Sequence, residues 1–387
     1  MTDLRSLFGI LNAMEGWLYE RGYAGIDPFD GLAACRLPSA LRARPRTRQL
    51  VVQAVKRSPL DLRPLLGVRP RRLAKAAGLI SSGYAQLEAA GWKGPARERG
   101  TGLLDWLLVH RTRFCDARAW GYEFDVQTRW AFYRSGTPNI IVTTFVARAL
   151  LDWYERTGDE RYLRAAVDAG GYVQDTLRIE CAAGACYCYV PGVTTLIHNA
   201  NALAAGFLAR LGGLTGNQHL LECGLAAAYA TLAFQDEQGL WPYGEAPNLR
   251  WIDGFHTAYT VGGLYDVWRA TGDEAVWASV QTGMNAYLER LFTDDGVPMN
   301  TTVSLYPIDT HSAASAIDLL VRAREADDRC WGRALGVARW TIAQQYDPTG
   351  YFFYQQTRSY TNRIPYVRWS QAHMFAALAS LAAATRQ

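Results

Sequence analysis

The stretch Leu240 to Tyr259, LWPYGEAPNLRWIDGFHTAY, gathers two carboxylates, one imidazole and several aromatic rings in one turn-rich segment. A loop broken by Gly and Pro carries Trp241, Tyr243, Glu245, Trp251 and Asp253, and it delivers His256 to the start of an apolar helical pattern. Ionisable and aromatic side chains on one loop are common materials of binding and catalysis. Asp309-Thr-His311 repeats the arrangement. In both places an Asp stands just before or at a helix start with a His close behind. The positive end of a helix favours an ionised carboxylate and a neutral imidazole. A paired acid and base is what glycosidic cleavage, or proton abstraction beside a carboxylate, requires. Asp253, His256, Asp309 and His311 are therefore the candidate catalytic groups, with Glu245 as an alternative general acid. Against that stands the plainer role of each Asp as a helix N-cap, for which it is a leading residue.

These groups need elements that bring them together. Three phrases recur about 57 residues apart, a period that signals repeated architecture: Thr157-Gly-Asp-Glu, Thr215-Gly-Asn-Gln and Thr271-Gly-Asp-Glu. The Gly can end one helix in a left-handed cap, and the Asp or Asn can start the next. Before each phrase the sequence is small and apolar on nearly all sides, as in HNANALAAGFLARLGGL from His198. After it the pattern is amphipathic. The first kind of helix is buried and the second lies outside it. The spacing thus predicts an all-α fold, a closed ring of about six helical hairpins, as one domain over 1–387 with a basic, less regular part at 38–100. The first helix, from Asp3 to Tyr19, is expected to be the outer partner of the last, from Gln371. An inner helix near Thr47 to Arg57 and outer helices between Arg71 and Arg113 would complete the set.

In such a ring the tight turns share one end, and the long links and inner-helix starts share the other. The residues at that second end should line a funnel. They are Asp27, Asp30, Tyr122, Asp125, Gln127, Arg129, His198, Asn199, Tyr243, Trp251, Tyr306, Arg363, Trp369 and His373, read as substrate-binding. Aromatic rings beside carboxylates and amides suit a sugar. Arg129, Arg250, Arg363 and Arg368 add planar forks that fit a carboxylate, sulfate or phosphate. An anionic oligosaccharide or polysaccharide is the expected ligand.

Other classes find little support. The 387 residues contain no apolar run long enough for a bilayer span. The N-terminus has acidic residues and no small-residue cleavage site, so a cytoplasmic location is expected. Seven cysteines include the cluster Cys181, Cys186 and Cys188, whose spacing matches no standard zinc pattern. No metal is expected. With no P-loop and no G-x-G-x-x-G, no cofactor is expected either. The net charge of +4 conceals a basic region from Arg42 to Lys75. It carries no nucleic-acid-binding motif, and its expected partners are solvent, or a membrane surface or synthase touched peripherally.

The apolar helix, TGDE-type turn, amphipathic helix and D-x-x-G-x-W-x-Y link resemble the (α/α)6 barrels and toroids of six-hairpin glycosidases and related sugar epimerases. The segments GYAGIDPFDGL, WGYEFDVQTRW, HNAN, WIDGFHTAY and YPIDTHSAA also look like an uncharacterised bacterial group associated with surface-polysaccharide synthesis. In the glycosidases the resemblance implies Asp or Glu catalysts, with Asp253 the matching position. In the epimerases it implies His or Tyr, with His256, His311 and Tyr306 as counterparts by role. The leading expectation is a glycoside hydrolase-like enzyme that cleaves an acidic, uronate-containing glycan. The alternatives are an epimerase of a uronyl or amino sugar, and a non-catalytic glycan-binding component of a polysaccharide-synthesis complex.

Overall fold

The computed structural model describes residues 4–112, 114, 116 and 118–386. Six helices stand side by side as an inner ring: α5 (Ala74–Ala89), α7 (Ile140–Thr157), α9 (His198–Thr215), α11 (Gly254–Thr271), α13 (Thr310–Arg322) and α15 (Ala372–Ala384). Each packs on the next, and α15 packs back on α5. Outside them lie α6 (Ala96–Val109), α8 (Glu160–Tyr172), α10 (Gln218–Leu232), α12 (Glu274–Arg290) and α14 (Asp328–Gln345), each against the inner helix that precedes it. Helix α1 (Leu4–Glu20) takes the sixth outer position, against α15, so the two chain ends close the ring.

The repeated phrases fold as their chemistry dictates. Gly158, Gly216 and Gly272 close α7, α9 and α11 at φ of 68°, 66° and 70°, a left-handed conformation that favours Gly. One residue later the side chains of Asp159, Asn217 and Asp273 accept backbone N–H groups at the starts of α8, α10 and α12. Inner helices so placed must come close. A Cβ on Gly263 of α11 would stand 2.3 Å from the Ala202 carbonyl oxygen of α9. That contact explains why the inner sequences hold small residues.

The N-terminal third departs from expectation. Thr47 to Arg57 does form part of a helix, α3 (Pro45–Arg57), but not an inner one. It is flanked by the short α2 (Ser39–Ala43) and α4 (Arg63–Leu66), and it packs on the turn Asp30–Ala33 and the strand Val126–Gln127, outside the ring. The first inner helix is instead α5, inside the stretch read as outer helices. Its sequence AKAAGLISSGYAQLEA is small and apolar and is buried on nearly all sides, like the other inner helices. Arg71, Arg72 and Lys75 at its start blurred that signature. The Glu123 carboxylate supplies what its own sequence lacks, accepting the Ala74 N–H at 2.6 Å. Irregularity is thus confined to the part before Leu73, whereas 74–109 is a regular hairpin.

Short ladders tie the long links together, including a three-stranded patch of Ile308–Asp309, Gln355–Gln356 and Thr361–Asn362. Among the described residues no helix is long and apolar enough to cross a membrane.

Candidate active site

The inner helices all begin at the end where the long links lie, and two of these beginnings carry an Asp–His unit. Asp253 is the N-cap of α11. Its Oδ1 accepts the His256 backbone N–H at 3.0 Å. Its Oδ2 lies 2.7 Å from His256 Nδ1 and accepts Trp251 Nε1–H at 3.0 Å. A carboxylate at that distance assigns the ring proton to Nδ1 and leaves Nε2 as the unprotonated nitrogen. Trp251 stacks on Tyr243 at 4.5 Å and 15°, and Tyr243 lies 4.5 Å from the His256 ring. The Gly–Pro loop therefore folds back as an aromatic wall around one imidazole.

Asp309 repeats the device on α13. Its Oδ1 accepts the His311 N–H at 2.8 Å, and Trp369 Nε1 lies 2.9 and 3.0 Å from its two oxygens. His311 continues into a cluster. Its Nε2 is 2.6 Å from the Tyr259 hydroxyl, which is also 3.4 Å from His373 Nε2. The two imidazole rings are 4.0 Å apart, and Trp369 lies 4.3 Å from His311. Phe255 joins the units, 3.8 Å from the ring of His256 and 4.8 Å from that of His311.

Burial sets the charge states. It pushes His311 well below the ordinary imidazole value, helped by the Lys75 and Arg368 charges and that of His256. His373 moves the same way, from burial and then from His311, Lys75 and Arg368. Both rings are neutral at pH 7. Burial raises Asp309 to about 6, against the opposing pull of the His311 N–H, Lys56 and Trp369.

Several residues read as ligands already have partners within the protein. Asp27 holds Arg368 through two bonds of 2.5 and 2.8 Å, so the Arg368 fork already has its carboxylate. Asp30 pairs with buried Arg63 at 2.6 Å and accepts the Asp27 N–H. Tyr122 meets the Tyr189 hydroxyl at 3.2 Å beneath the Arg368 guanidinium. Asp125 accepts the Ser135 N–H, and Gln127 is held by Arg48, Thr128 and Ala131. These two side chains lock the hairpin they sit on. Arg363 is exposed over Phe353, Arg250 reaches the Glu245 carbonyl, and Tyr306 lies 6.0 Å from Arg358. Arg129 stands on the aromatic wall, 4.9 Å from the Trp251 ring, and Arg368, already paired with Asp27, lies 5.4 Å from that of Trp369.

His198 and Asn199 lie at the start of α9 but inside the protein. His198 is fully buried beside Phe234, both ring nitrogens lack a partner, and burial lowers it to about 4. The Asn199 carbonyl oxygen is also buried without a partner. Among the described residues Glu245 makes no hydrogen bond with either Asp–His unit, and its Oε1 is buried without a partner. No three His, Cys, Asp or Glu side chains among the described residues converge as metal ligands would.

The sequence reading did not single out Tyr259, Phe255, Phe145, Lys56 or Lys75. Tyr259 follows His256 by three, one helical turn along the same face, and that spacing was the available signal. Lys75 could have been found only with α5 correctly placed.

No family model matches the sequence, and no curated protein matches it. Solved structures do match. Cellobiose 2-epimerase from Spirochaeta thermophila superposes with a TM-score of 0.59 at 16% identity, covering 81% of this chain and 86% of that one. Cellobiose 2-epimerase from Bacillus thermoamylovorans gives 0.62 at 11% identity, over 83% and 90%. An inactive α-1,6-mannanase variant of Salegentibacter sp. in complex with α-1,6-mannotriose gives 0.60 at 14%, over 80% and 88%. What this chain shares with them is the (α/α)6 toroid.

Proposed function

We propose that this protein is a carbohydrate-active enzyme, and that its reaction is epimerisation of a reducing sugar by proton transfer between imidazoles. One observation carries the reading: the Tyr259 hydroxyl lies between His311 Nε2 at 2.6 Å and His373 Nε2 at 3.4 Å, and Phe255 links this cluster to the His256 ring. Neutral imidazoles beside a phenol are groups that can take a proton from a carbon next to a carbonyl and return one. The carboxylates are less available. Asp253 and Asp27 each already accept three donors, as N-cap and ion-pair partner. The aromatic wall of Tyr243, Trp251, Phe255 and Trp369 supports a sugar ring or its open chain as substrate. Support for an acidic substrate narrows to Arg129 and Lys56. Replacing His311 or His373 with Asn tests the reading. Exchange of a sugar C–H with solvent should fall by about 10²–10⁴. Undiminished exchange in both variants would remove the imidazoles from the reaction.

A second reading keeps glycosidic cleavage in an acidic oligosaccharide. It is favoured by Asp309, whose value near 6 suits a general acid at neutral pH. Release of a shorter saccharide separates it from epimerisation.

A further inference from the structure

We propose that Lys75 is a covalent carbonyl-binding group that forms an imine with the aldehyde of an open-chain sugar. The inference rests on the epimerase reading of the same site.

The chain has 37 arginines and three lysines, Lys56, Lys75 and Lys93. Two of the three stand by the imidazole cluster, Lys75 5.5 Å from the Tyr259 ring and Lys56 5.6 Å from that of Trp369. Where the fold needs a buried cation it uses Arg with a carboxylate: Arg63 with Asp30 at 2.6 Å and Arg368 with Asp27 at 2.5 Å. Lys75 departs from that habit. It sits in the first turn of α5 and is 3% exposed. Its Nζ lies 4.2 Å from the Phe145 ring centre and 5.5 Å from that of Tyr259, and among the described residues no acceptor is within hydrogen-bond reach. An arginine there would serve as a charge and could never lose its proton, whereas a lysine in an apolar setting becomes a nucleophile. Burial and the nearby Arg368 charge push the Lys75 amine well below its ordinary value, against a weaker pull from Asp27. Burial lowers Lys56 as well, but it is only half-buried and the Asp309 carboxylate opposes the shift.

The surroundings supply the remaining parts. The amine adds to C1, and the carbinolamine loses its hydroxyl as water with a proton from the Tyr259–His311 pair. The resulting iminium acidifies the C2–H. One imidazole takes that proton to give an enamine, a proton returns to C2 on the other face, and water releases the epimer and the free amine. Nothing is oxidised or reduced, and water formed in the first half is consumed in the second.

With so few lysines the test is clean. The whole protein is treated at neutral pH with glycolaldehyde and cyanoborohydride, and the modified peptides are mapped by mass spectrometry. Lys75 should acquire the hydroxyethyl group about tenfold or more faster than exposed Lys93, since each unit of lowered pKa raises the free-amine fraction tenfold. Labelling of Lys75 no faster than Lys93, or of Lys56 instead, overturns the assignment. Lys75→Arg supplies a permanent charge without the nucleophile and should lose solvent exchange into the sugar about hundredfold or more. Lys75→Met, which places no charge in the apolar site, guards against a folding artefact and should be equally inactive. Exchange retained in both variants removes the imine and leaves the epimerase reading standing. Rapid Lys75 labelling in a wild-type protein that exchanges no sugar removes the epimerase reading and leaves the reactive amine.

Discussion

Replacing Tyr259 with Phe deletes one oxygen and little else. That oxygen lies 2.6 Å from His311 Nε2 and 3.4 Å from His373 Nε2. His311 Nδ1 is already buried without a partner. The variant therefore leaves His311 with neither ring nitrogen bonded, at a cost of about 1–3 kcal/mol. In a chain of this size that is a fall in Tm of a few degrees. The catalytic effect should be larger. Loss of a group that passes protons lowers kcat by about 10²–10⁴, equivalent to roughly 3–5 kcal/mol in the barrier. The assay records thermal unfolding and solvent-deuterium uptake into sugar on the same preparation. A purely structural tyrosine would lower Tm and leave the rate per folded molecule intact. Uptake within about threefold of wild type would refute the proposed relay, because that corresponds to less than ~1 kcal/mol.

The remaining predictions concern charge and packing. Asp253→Asn keeps an N-cap but loses the anion that fixes the His256 tautomer, so the rate should fall by ~10²–10⁴ with Tm almost unchanged; an unaltered rate would make Asp253 only a cap. His198 is held near 4, below its unfolded value of about 6.5, so the folded state resists the proton and stability is lost as pH falls through that window. His198→Leu should remove that loss, worth about 3 kcal/mol between pH 7 and 4 in denaturant unfolding; an identical pH dependence in both proteins contradicts it. Asp27→Asn strands the buried Arg368 guanidinium and should cost about 3–5 kcal/mol, read as a lower unfolding midpoint. Gly263→Ala drives a methyl into the Ala202 carbonyl and should cost about 1–3 kcal/mol or more, whereas Gly272 at the helix end tolerates no better only because of its positive φ.

The ring was legible because its signals are local. Thr-Gly-Asp turns encode a left-handed cap and the next N-cap in adjacent residues, and inner and outer helices differ in apolar coverage at once. The pairing of α1 with α15 followed from counting hairpins. The site was legible in part for the same reason, since Asp253, His256, Asp309 and His311 share one phase of the repeat. What escaped depended on distance. Arg368 looked like a free fork until Asp27, far away in the chain, was found holding it. His198 shares the phase of the other histidines but faces the packed interior beside Phe234 rather than the funnel. Lys75 carries no motif at all, and only the closure of α15 on α5 brings it beside Tyr259, His311 and His373.

The central claim is that carbon-bound protons, and not glycosidic bonds, are what this funnel handles. Wild-type protein incubated in deuterated water with a panel of neutral, uronic and amino reducing sugars, alongside acidic oligosaccharides, tests it directly by mass spectrometry. The account predicts one stably incorporated deuterium in a sugar of unchanged length, with its epimer appearing. Shorter saccharides bearing no carbon-bound deuterium would contradict it.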